Sequence, residues 1–475
     1  MTKTILSVAL CLLFANPSFS QTTFTHAECG TEFTLALRSD STLWTCGNNA
    51  NGQLGNDTTV KSDVLLQVAP GQKWIYAATG AFHSMAIASD STLWGWGLNG
   101  NGQLGTATTS TAQLPTQVNT TQRWTYVSGG EVHTIAILDN GTLWGTGDNY
   151  YGQLGTGDTT QHLSFVQIGT ANNWKTVSAG GLFTLAIKND GTLWGWGYNG
   201  DGELGMGNTG TYLSPTQIGT DTNWVMASGG YEFSLAMKSD GSIWSTGFNG
   251  NGQLGRVTTG INDSAWAQIG TTGSWKFIAV GASYGLAIQQ NGTLWGWGFN
   301  EYGQLGISPA SSADSITQVG TDNTWQYISA ADGAISGGSV YGLHSAGFKT
   351  LATGLCTTGA DYTGQLGNGE FINTPGAQFA FDCSVEATTP SAVANVNKST
   401  LISVYPNPAS DQLNIYGIAT TATFNISNMV GSEVQKGNLQ KGANTLPVEN
   451  LIPGVYILTV TAADGEKYNT RFIKN

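Results

Sequence analysis

The sequence predicts an all-β protein in which a seven-bladed β-propeller precedes a small, Ig-like β-sandwich domain. The first observation is a tetrapeptide, Gly-Gln-Leu-Gly, that occurs seven times at steps of mostly 50 residues. The second is a tryptophan that stands 20 or 21 residues after the leucine of the first six copies, and the third is a series of short apolar segments separated by turns. The tetrapeptides begin at Gly52, Gly102, Gly152, Gly202 (with Glu in place of Gln), Gly252, Gly303 and Gly364.

Each repeat unit contains segments that predict short β-strands. In the second unit, WIYAATG, HSMAIAS and STLWGWG are apolar and are bounded by glycines or turn pairs. Pairs such as Asn140-Gly141 and Asp190-Gly191 accept positive φ values and join neighbouring antiparallel strands. A fourth strand is expected around LPTQV and its counterparts. Four strands in each of seven units is the blade pattern of a propeller.

The repeated residues are interpreted as scaffold rather than as a functional signature. Of the 16 tryptophans, all but Trp266 stand in register with the repeat, and we expect them to pack the blades because each buries a large apolar surface. The glycines of the tetrapeptide are expected in turns, its leucine in the core, and its glutamine in contact with backbone.

The segment WGWGxNxxGQLG, after a strand of the form GxxHTxAI and a turn DGTLW, resembles the regulator-of-chromosome-condensation repeat. Residues 129–157 are the closest copy, and the resemblance extends over residues 24–383. It implies a seven-bladed propeller. The family's histidine is identified only at His83 and His133, with Phe or Tyr elsewhere. The seventh unit contains an insertion and has Cys356 where a tryptophan is expected.

The N-terminal 20 residues are expected to be a secretory signal peptide. Lys3 precedes an apolar stretch at residues 5–14, and small residues precede the predicted cut before Gln21. The propeller is expected at residues 21–383. A linker of small polar residues follows at residues 384–400.

Residues 401–475 are expected to form the β-sandwich, because apolar residues alternate between glycine-containing turns. This segment resembles the C-terminal sorting domain of the type IX secretion pathway of Bacteroidetes-like bacteria. The matching motifs are Tyr405-Pro406-Asn407-Pro408, Gly454-Val455-Tyr456 and the ending Lys474-Asn475. The resemblance implies export across the outer membrane by the type IX machinery, removal of the tail, and release or attachment at the cell surface. An ordinary Ig-like binding module is the alternative.

The negative charge is concentrated in the propeller. The formal net charge of the chain is −13; residues 21–383 contain 24 acidic and 10 basic residues, whereas residues 384–475 contain six of each. Nucleic-acid binding depends on Lys and Arg contacts with phosphates, so the acidic ring argues against a nucleic-acid partner. Beyond the signal peptide no apolar stretch is long enough for membrane insertion.

Four cysteines follow the signal peptide, and an even number in an exported protein suggests disulfides. Three connectivities are open. Local pairs, Cys29–Cys46 and Cys356–Cys383, are favoured because each lies within one terminal unit, and a Cys29–Cys383 link across the ring closure is the alternative.

No catalytic motif of the serine-hydrolase, zinc-protease, P-loop or dinucleotide-binding kind is present. The five histidines are scattered, and the cysteine spacings fit no zinc template. No cofactor or metal ion is therefore expected. His83 and His133 stand in equivalent positions where other units have Phe or Tyr, which favours a packing role.

The turn just before each tetrapeptide varies from unit to unit, and equivalent turns of a propeller lie on one face. Tyrosines and acids at such turns suit recognition of a protein or glycan, although ordinary solvated turns are the alternative. Trp266 is a further candidate, with filling of an apolar slot as its alternative. The candidate binding residues are Tyr150, Tyr151, Asp201, Glu301, Tyr302, Tyr362 and Trp266.

The sequence thus favours a secreted or surface-attached propeller without catalysis that binds an extracellular protein or glycan. Two alternatives stay open. One is an extracellular hydrolase or lyase with its site in the central channel, which requires carboxylate or histidine side chains to converge there. The other is a structural adhesin.

Overall fold

The computed structural model describes residues 22–474 except 119–120, 271–273, 309–311, 332, 334, 337–338, 341, 351–352, 372–379, 387–402, 406–408, 410, 419–420, 429–431 and 464–466. The predicted signal peptide and most of the predicted linker lie outside the described residues. The chain divides into two compact units, Met1–Ala387 and Thr388–Asn475.

The first unit contains seven four-stranded antiparallel sheets, which are the blades. Blades 1 to 4 consist of β1 (Phe24–Cys29), β2 (Phe33–Arg38), β3 (Leu43–Gly47), β4 (Ser62–Val68); β5 (Trp74–Thr79), β6 (His83–Ala88), β7 (Leu93–Gly97), β8 (Ala112–Gln117); β9 (Trp124–Gly129), β10 (His133–Leu138), β11 (Leu143–Gly147), β12 (His162–Gln167); and β13 (Trp174–Ala179), β14 (Phe183–Lys188), β15 (Leu193–Gly197), β16 (Tyr212–Ile218).

The remaining blades follow the same order, except that a two-stranded hairpin is inserted after the first strand of the seventh blade. They consist of β17 (Trp224–Gly229), β18 (Phe233–Lys238), β19 (Ile243–Phe248), β20 (Asn262–Gln268); β21 (Trp275–Val280), β22 (Tyr284–Gln289), β23 (Leu294–Gly298), β24 (Ala313–Val319); and β25 (Trp325–Ala330), β28 (His344–Lys349), β29 (Leu355–Gly359), β30 (Asp382–Val385), with the hairpin β26 (Ile335–Ser336) and β27 (Ser339–Val340). The predicted seven-bladed propeller is confirmed.

The turn between the second and third strands explains why an Asp-Gly or Asn-Gly pair precedes the second tryptophan of a unit. In blade 4, Asp190 Oδ1 accepts a hydrogen bond from Thr192 N at 3.0 Å, and Thr192 Oγ1 accepts one from Trp194 Nε1 at 2.8 Å. Gly191 adopts a φ of 78°, which a glycine tolerates without strain. The carboxylate, hydroxyl and indole groups therefore fix this turn and its tryptophan together.

The hydrophobic core is divided among the interfaces between blades. In one cluster, Ile135 and Leu154 of blade 3 pack with Trp174 and Trp196 of blade 4, and all four side chains are almost completely buried. Because each cluster takes residues from two neighbouring blades, no blade buries its own apolar faces alone. This is the physical reason for a closed ring.

The tetrapeptide joins one blade to the next. In blade 2, Gln103 Oε1 accepts a hydrogen bond from Asn101 N at 3.0 Å, which closes the turn, and Leu104 is fully buried. The Gln103 carbonyl oxygen accepts a bond from Thr134 Oγ1 on the second strand of blade 3 at 2.7 Å. The glutamine thus fixes its own turn with its side chain and holds the neighbouring blade with its backbone.

The ring closes with the same contact, without exchange of a strand between the termini. Thr34 Oγ1 in blade 1 donates to the Gln365 carbonyl oxygen of blade 7 at 2.8 Å. The family's histidine is also present in blade 7, contrary to the expectation from the sequence. His344 Nε2 lies 2.9 Å from Thr34 Oγ1, as His83 Nε2 lies 2.9 Å from the equivalent Thr134. The inserted hairpin obscured this register in the sequence.

Only one of the two favoured disulfides is present in the structure. Cys356 and Cys383, on the adjacent strands β29 and β30, are joined, whereas Cys29 and Cys46 are free, buried thiols. Cys29 and Cys46 both lie opposite Thr34, on either side of the intervening strand β2. Two strand spacings amount to about 9.5 Å, which exceeds the reach of a disulfide. The expected Cys29–Cys46 pair and the alternative Cys29–Cys383 link are therefore not formed.

The second unit is a small sandwich of two antiparallel sheets. A three-stranded sheet is formed by β31 (Ser403–Tyr405), β32 (Gln412–Ile418) and β35 (Gly442–Pro447), and a four-stranded sheet by β33 (Ala422–Asn428), β34 (Glu433–Leu439), β36 (Gly454–Ala462) and β37 (Lys467–Lys474). Leu413 and Ile415 of the first sheet share one core with Phe424, Ile426 and Leu458 of the second. Of the predicted motifs, Gly454-Val455-Tyr456 begins β36, while residues 406–408 and 475 lie outside the described residues.

We predict that alkylation of the unfolded, unreduced protein labels Cys29 and Cys46 and no other cysteine after residue 21, as measured by peptide mass spectrometry. In the folded protein both should resist labelling, because burial excludes the reagent and raises the pKa of Cys29 to about 12. After reduction all four should be labelled. Protection of Cys29 and Cys46 in the unfolded, unreduced chain would contradict the structure.

Candidate functional site

The connections that follow the first and third strands lie at the same end of every blade, because neighbouring strands are antiparallel. We call this end the loop face. Its two kinds of connection contact each other: the Glu32 carbonyl oxygen accepts bonds from Asn48 N at 2.8 Å and from Thr363 Oγ1 at 3.0 Å. Each tetrapeptide follows a third strand, so the variable residues just before it are displayed on the loop face.

Six of the seven candidate binding residues lie in these connections. Tyr150 is 71% exposed. Glu301 is also exposed, and the other four are half-buried: Tyr151, Asp201, Tyr302 and Tyr362.

Three tyrosines form a cluster on the loop face at blades 3 and 4, here called the tyrosine cluster (Tyr150, Tyr151 and Tyr198). The ring centroids of Tyr150 and Tyr151 are 4.9 Å apart, and those of Tyr151 and Tyr198 are 5.0 Å apart, both in edge-to-face arrangement. Tyr198 was not among the candidates from the sequence. It stands two residues before the variable turn, at a position that is itself variable among the units.

A second aromatic cluster lies on the loop face at blades 6 and 7. The ring centroids of Phe299 and Tyr302 are 6.2 Å apart, and those of Tyr302 and Tyr362 are 6.1 Å apart. The sequence positions of Tyr302 and Tyr362 differ by 60, so the contact depends on the packing of adjacent blades. The loop face therefore carries two separate aromatic clusters.

Carboxylates surround the tyrosine cluster. Burial and the nearby charge of Asp201 raise the pKa of Glu232, and burial together with Asp148 raises that of Glu131. Burial also raises the pKa of Tyr198, and the charges of Asp201 and Glu232 raise it further, with Asp201 the largest charged contributor. The carboxylates thus repel one another and make this part of the loop face electronegative.

Trp266 lies apart from the loop-face clusters, on the outer strand β20. Its indole ring packs 5.7 Å from that of Trp224, and its Nε1 donates to the Leu204 carbonyl oxygen at 3.1 Å. A side chain on Gly205 would collide with the ring of Trp266. These contacts favour the apolar-slot alternative, and we leave Trp266 out of the proposed binding surface.

The first strands of the seven blades line a central channel that contains a cavity of about 370 Å³. Five aromatic rings form a continuous arc on its wall, with successive ring centroids 4.8, 5.1, 4.9 and 5.0 Å apart. In order around the channel, this aromatic arc consists of Phe277, Tyr327, His26, Tyr76 and Tyr126.

A carboxylate stands beside the middle of the arc. Glu28 Oε1 lies 3.1 Å from His26 Nε2 and accepts a hydrogen bond from Tyr327 OH at 2.8 Å. Ser329 Oγ is 3.4 Å from the other oxygen, Oε2. A carboxylate and a histidine therefore do converge in the channel, as the alternative of a channel enzyme requires. The residues of the arc share one repeat position, two residues after the Phe or Trp that begins each first strand, and this was the available sequence signal. The contact of Glu28 with Tyr327 had none, because the two residues are 299 positions apart.

The chemistry of the described channel residues favours binding over covalent catalysis. Burial raises the pKa of the Cys29 thiol to about 12, so it stays protonated. Ser329 Oγ accepts a bond from Cys29 N at 3.1 Å and is itself close to Glu28 rather than to a histidine. Neither group is activated as a nucleophile. No cluster of three potential metal ligands was found among the described residues.

The remaining buried histidines are structural. Burial lowers the pKa of His83, His133 and His344 to about 3, so all three are neutral at physiological pH. His133 Nε2 lies 3.1 Å from Thr184 Oγ1 on the next blade. These contacts fit the packing role that the sequence favoured.

Family models match both units of the chain. The RCC1-like domain matches residues 8–230, and the regulator of chromosome condensation (RCC1) repeat matches residues 275–304 and 291–332. The chain therefore contains an RCC1-like domain and RCC1 repeats. The secretion system C-terminal sorting domain matches residues 403–475, which are the β-sandwich of this RCC1-repeat protein.

Solved structures with RCC1 folds resemble the propeller. Human WBSCR16 is 20% identical with a TM-score of 0.62, over 74% of this chain and 94% of that one. Prp20p from Saccharomyces cerevisiae is 20% identical with a TM-score of 0.59, over 65% and 80% of the two chains. At this identity the likeness shows the fold alone. No curated protein matches the chain significantly. Within the described residues no helix is long and apolar enough to cross a membrane.

Glu203 is the one departure from glutamine in the seven tetrapeptides. Its side chain is fully buried, and Oε2 accepts a bond from Asp201 N at 2.9 Å, as the glutamine Oε1 does in other blades. Burial raises the pKa of Glu203 to about 8. The carboxyl group is therefore protonated at neutral pH and replaces the amide without a charge.

We predict that Glu203→Gln stabilises this RCC1-repeat protein in a pH-dependent way. Between pH 4.5 and about 8 the unfolded state releases the Glu203 proton while the folded state keeps it, so stability falls as pH rises through this window. The gain from Glu203→Gln should be near zero at pH 4 and reach a few kcal/mol at pH 8, as measured by denaturant unfolding. The reverse change in another blade, Gln103→Glu, should create the same pH dependence. A gain from Glu203→Gln that is equal at both pH values would contradict the assignment.

Proposed function

We propose that this protein is a secreted or surface-attached, non-catalytic binding propeller that presents its loop face to an extracellular protein or glycan. The proposal rests mainly on one observation: the exposed Tyr150 and several half-buried tyrosines cluster beside carboxylates on turns that the scaffold holds rigid. Tyr150, Tyr151 and Asp201 lie in the same region of the loop face, and Tyr302 and Tyr362 provide a second point of contact.

The turns are fixed before any partner arrives. Around Tyr151, Gln153 Oε1 accepts a bond from Tyr151 N at 2.9 Å, and Asn149 Oδ1 accepts one from Leu154 N at 2.9 Å. Gly152 N also donates to the Asn149 carbonyl oxygen at 2.9 Å. A surface that is already ordered loses little conformational entropy on binding. The exposed rings can therefore contribute most of their contact energy to affinity.

The side chains of the loop face indicate which class of partner it can bind. Tyrosine rings offer apolar faces and a polar edge, which suits both protein side chains and sugar rings. The carboxylates Glu131, Asp148, Asp201 and Glu232 favour basic or hydroxyl-rich groups over anionic ones. Nucleic acid and anionic membrane surfaces are therefore poor partners for this face.

Related propellers offer a precedent for protein binding. Prp20p is described by its binding to Gsp1p and histones, and yeast RCC1 (Prp20) has been seen bound to Kap60. These partners are not assigned to the present chain, because an identity of 20% supports the fold alone. The precedents support the use of this scaffold as a binding surface.

The C-terminal domain supports an extracellular location. Its match to a secretion system sorting domain covers residues 403–475, and we propose that the type IX machinery recognises it during export. The partner of the loop face would then be met outside the cell, either free or at the outer surface.

We predict that Tyr150→Ala combined with Tyr302→Ala weakens capture of the partner at least about tenfold, because exposed aromatic anchors contribute a large share of binding energy. Capture would be measured on glycan arrays and by retention of proteins from the organism's surroundings. The matched control is Ile75→Ala, since Ile75 is 51% exposed but lies near the start of β5, away from the loop face. Unchanged capture, or a lowered melting temperature in the double variant, would count against the proposed surface.

We further predict that deletion of residues 401–475 abolishes export while the propeller still folds, because the two units have separate cores. Immunoblots of cell and medium fractions would locate the protein, and circular dichroism would test folding of the truncated chain. Normal export of the truncated chain would show that the C-terminal domain serves another purpose, such as the Ig-like binding module considered from the sequence.

A further inference from the structure

We propose that the central channel is a second binding site, separate from the loop face, and that its ligand is an organic ammonium group. The site would consist of the Glu28 carboxylate and the aromatic arc defined above. This proposal does not depend on the function of the loop face.

The geometry of the arc suits a cation. Faces of aromatic rings attract cations through their quadrupoles, and here Tyr327, His26 and Tyr76 are adjacent, with centroid distances of 5.1 and 4.9 Å. All are half-buried and border the cavity. Tyr126 extends the arc on one side, 5.0 Å from Tyr76, and Phe277 extends it on the other, 4.8 Å from Tyr327.

No lysine or arginine is among the described residues that line the cavity, so the charge of Glu28 is not compensated there. Among the described residues that line the cavity, Glu28 is the only acidic side chain and His26 the only basic one. Burial is the main cause of the raised pKa values of Tyr76, Tyr126 and Tyr327, and the charge of Glu28 raises all three further. The field of Glu28 therefore extends around the arc. A narrow cleft of one sign with apolar walls concentrates this field on a ligand.

Glu28 is held in place for such a ligand. Tyr327 OH donates to Glu28 Oε1 at 2.8 Å, and His26 Nε2 lies 3.1 Å from the same Oε1. His26 Nε2 is also 2.9 Å from the Ala77 carbonyl oxygen. The second oxygen, Oε2, has only a long contact with Ser329 Oγ at 3.4 Å. The carboxylate can therefore accept a further hydrogen bond or ion pair from a bound ammonium group.

An organic ammonium fits this site better than a metal ion. Calcium and magnesium require six or more oxygen ligands, whereas the described channel provides one carboxylate and scattered hydroxyl groups. The aromatic faces add nothing for a metal ion of this kind but stabilise an alkylammonium or trimethylammonium group. The volume of about 370 Å³ lies in the range of small-molecule sites.

The test is calorimetric titration of the full chain with choline and with n-butylammonium. Each is compared with a neutral molecule of similar shape, 3,3-dimethylbutan-1-ol for choline and butan-1-ol for butylammonium. We expect both cations to bind saturably and at least about tenfold more tightly than the alcohols, since the ring faces and the Glu28 carboxylate attract a positive charge. Equal affinity for amine and alcohol, or no saturable binding of either amine, would overturn the proposal.

The amine affinity of two channel variants tests whether binding occurs in the channel. Glu28→Gln keeps the shape and an acceptor for Tyr327 OH, and should weaken amine binding at least about tenfold without changing the melting temperature. Tyr126→Leu removes one ring face and should weaken binding severalfold. The matched controls on the loop face, Glu131→Gln and Tyr302→Leu, should leave the amine affinity unchanged. Unchanged affinity in Glu28→Gln would overturn the proposal, as would an equal loss in the controls.

A further arm distinguishes a free amine from a lysine side chain. The probe is a tripeptide with a central lysine and blocked termini. Affinity comparable to that of n-butylammonium would assign the site to lysine side chains of polypeptides, whereas binding of the free amines alone would assign it to small ammonium compounds. Both results support an ammonium site, and failure of all three probes to bind overturns it.

Discussion

The ring depends on one hydrogen bond, in which the backbone carbonyl of the tetrapeptide's second residue accepts from the next blade. A serine or threonine of the second strand is the donor in six of the seven interfaces, including the closure at Thr34. At the seventh the second strand has Gly285, and Trp297 Nε1 donates to the Gln253 carbonyl oxygen at 2.8 Å instead. The contact is conserved in chemistry although its donor changes, because each blade relies on its neighbour to complete its core.

The slot beside this bond is filled in two alternating ways. In blades 2, 4 and 6 a third-strand tryptophan occupies it, and the ring packs against Gly55, Gly155 or Gly255, where a side chain would collide with it. In blades 3 and 5 that position is threonine. There a fourth-strand ring fills the slot: Phe165 packs against Gly105 in one case, and Trp266 packs against Gly205 in the other. An aromatic ring thus fills the slot in both kinds of blade, as close packing requires. This role in the slot explains why Trp266 stands outside the repeat positions of the other tryptophans.

The sequence was a good guide wherever the determinants recur at one period. Blade number, turns and the scaffold role of the tetrapeptide all follow from residues within about 50 positions of one another. It was a poor guide where residues from distant blades meet. Glu28 and Tyr327 come together only when the ring closes, and the shared repeat position of His26 and Tyr76 did not by itself indicate that they line the channel. The Cys29–Cys46 pairing failed for a local reason, since sequence proximity conceals the strand between them.

The division between repeated and variable positions explains why two surfaces are free to carry function. Packing between blades is borne by the buried residues of all four strands, including the first-strand tryptophans, and by the tetrapeptides, so those residues are constrained in every unit. Channel-facing residues of the first strands are only partly buried, and the turns before the tetrapeptides lie on the loop face, so their side chains are less constrained. At the level of His26 the other blades carry Tyr76, Tyr126, Thr176, Met226, Phe277 and Tyr327. Aromatic residues are gathered on one side of this ring, around the only carboxylate of the described cavity wall. Scaffold packing does not require that asymmetry, whereas a bound cation would.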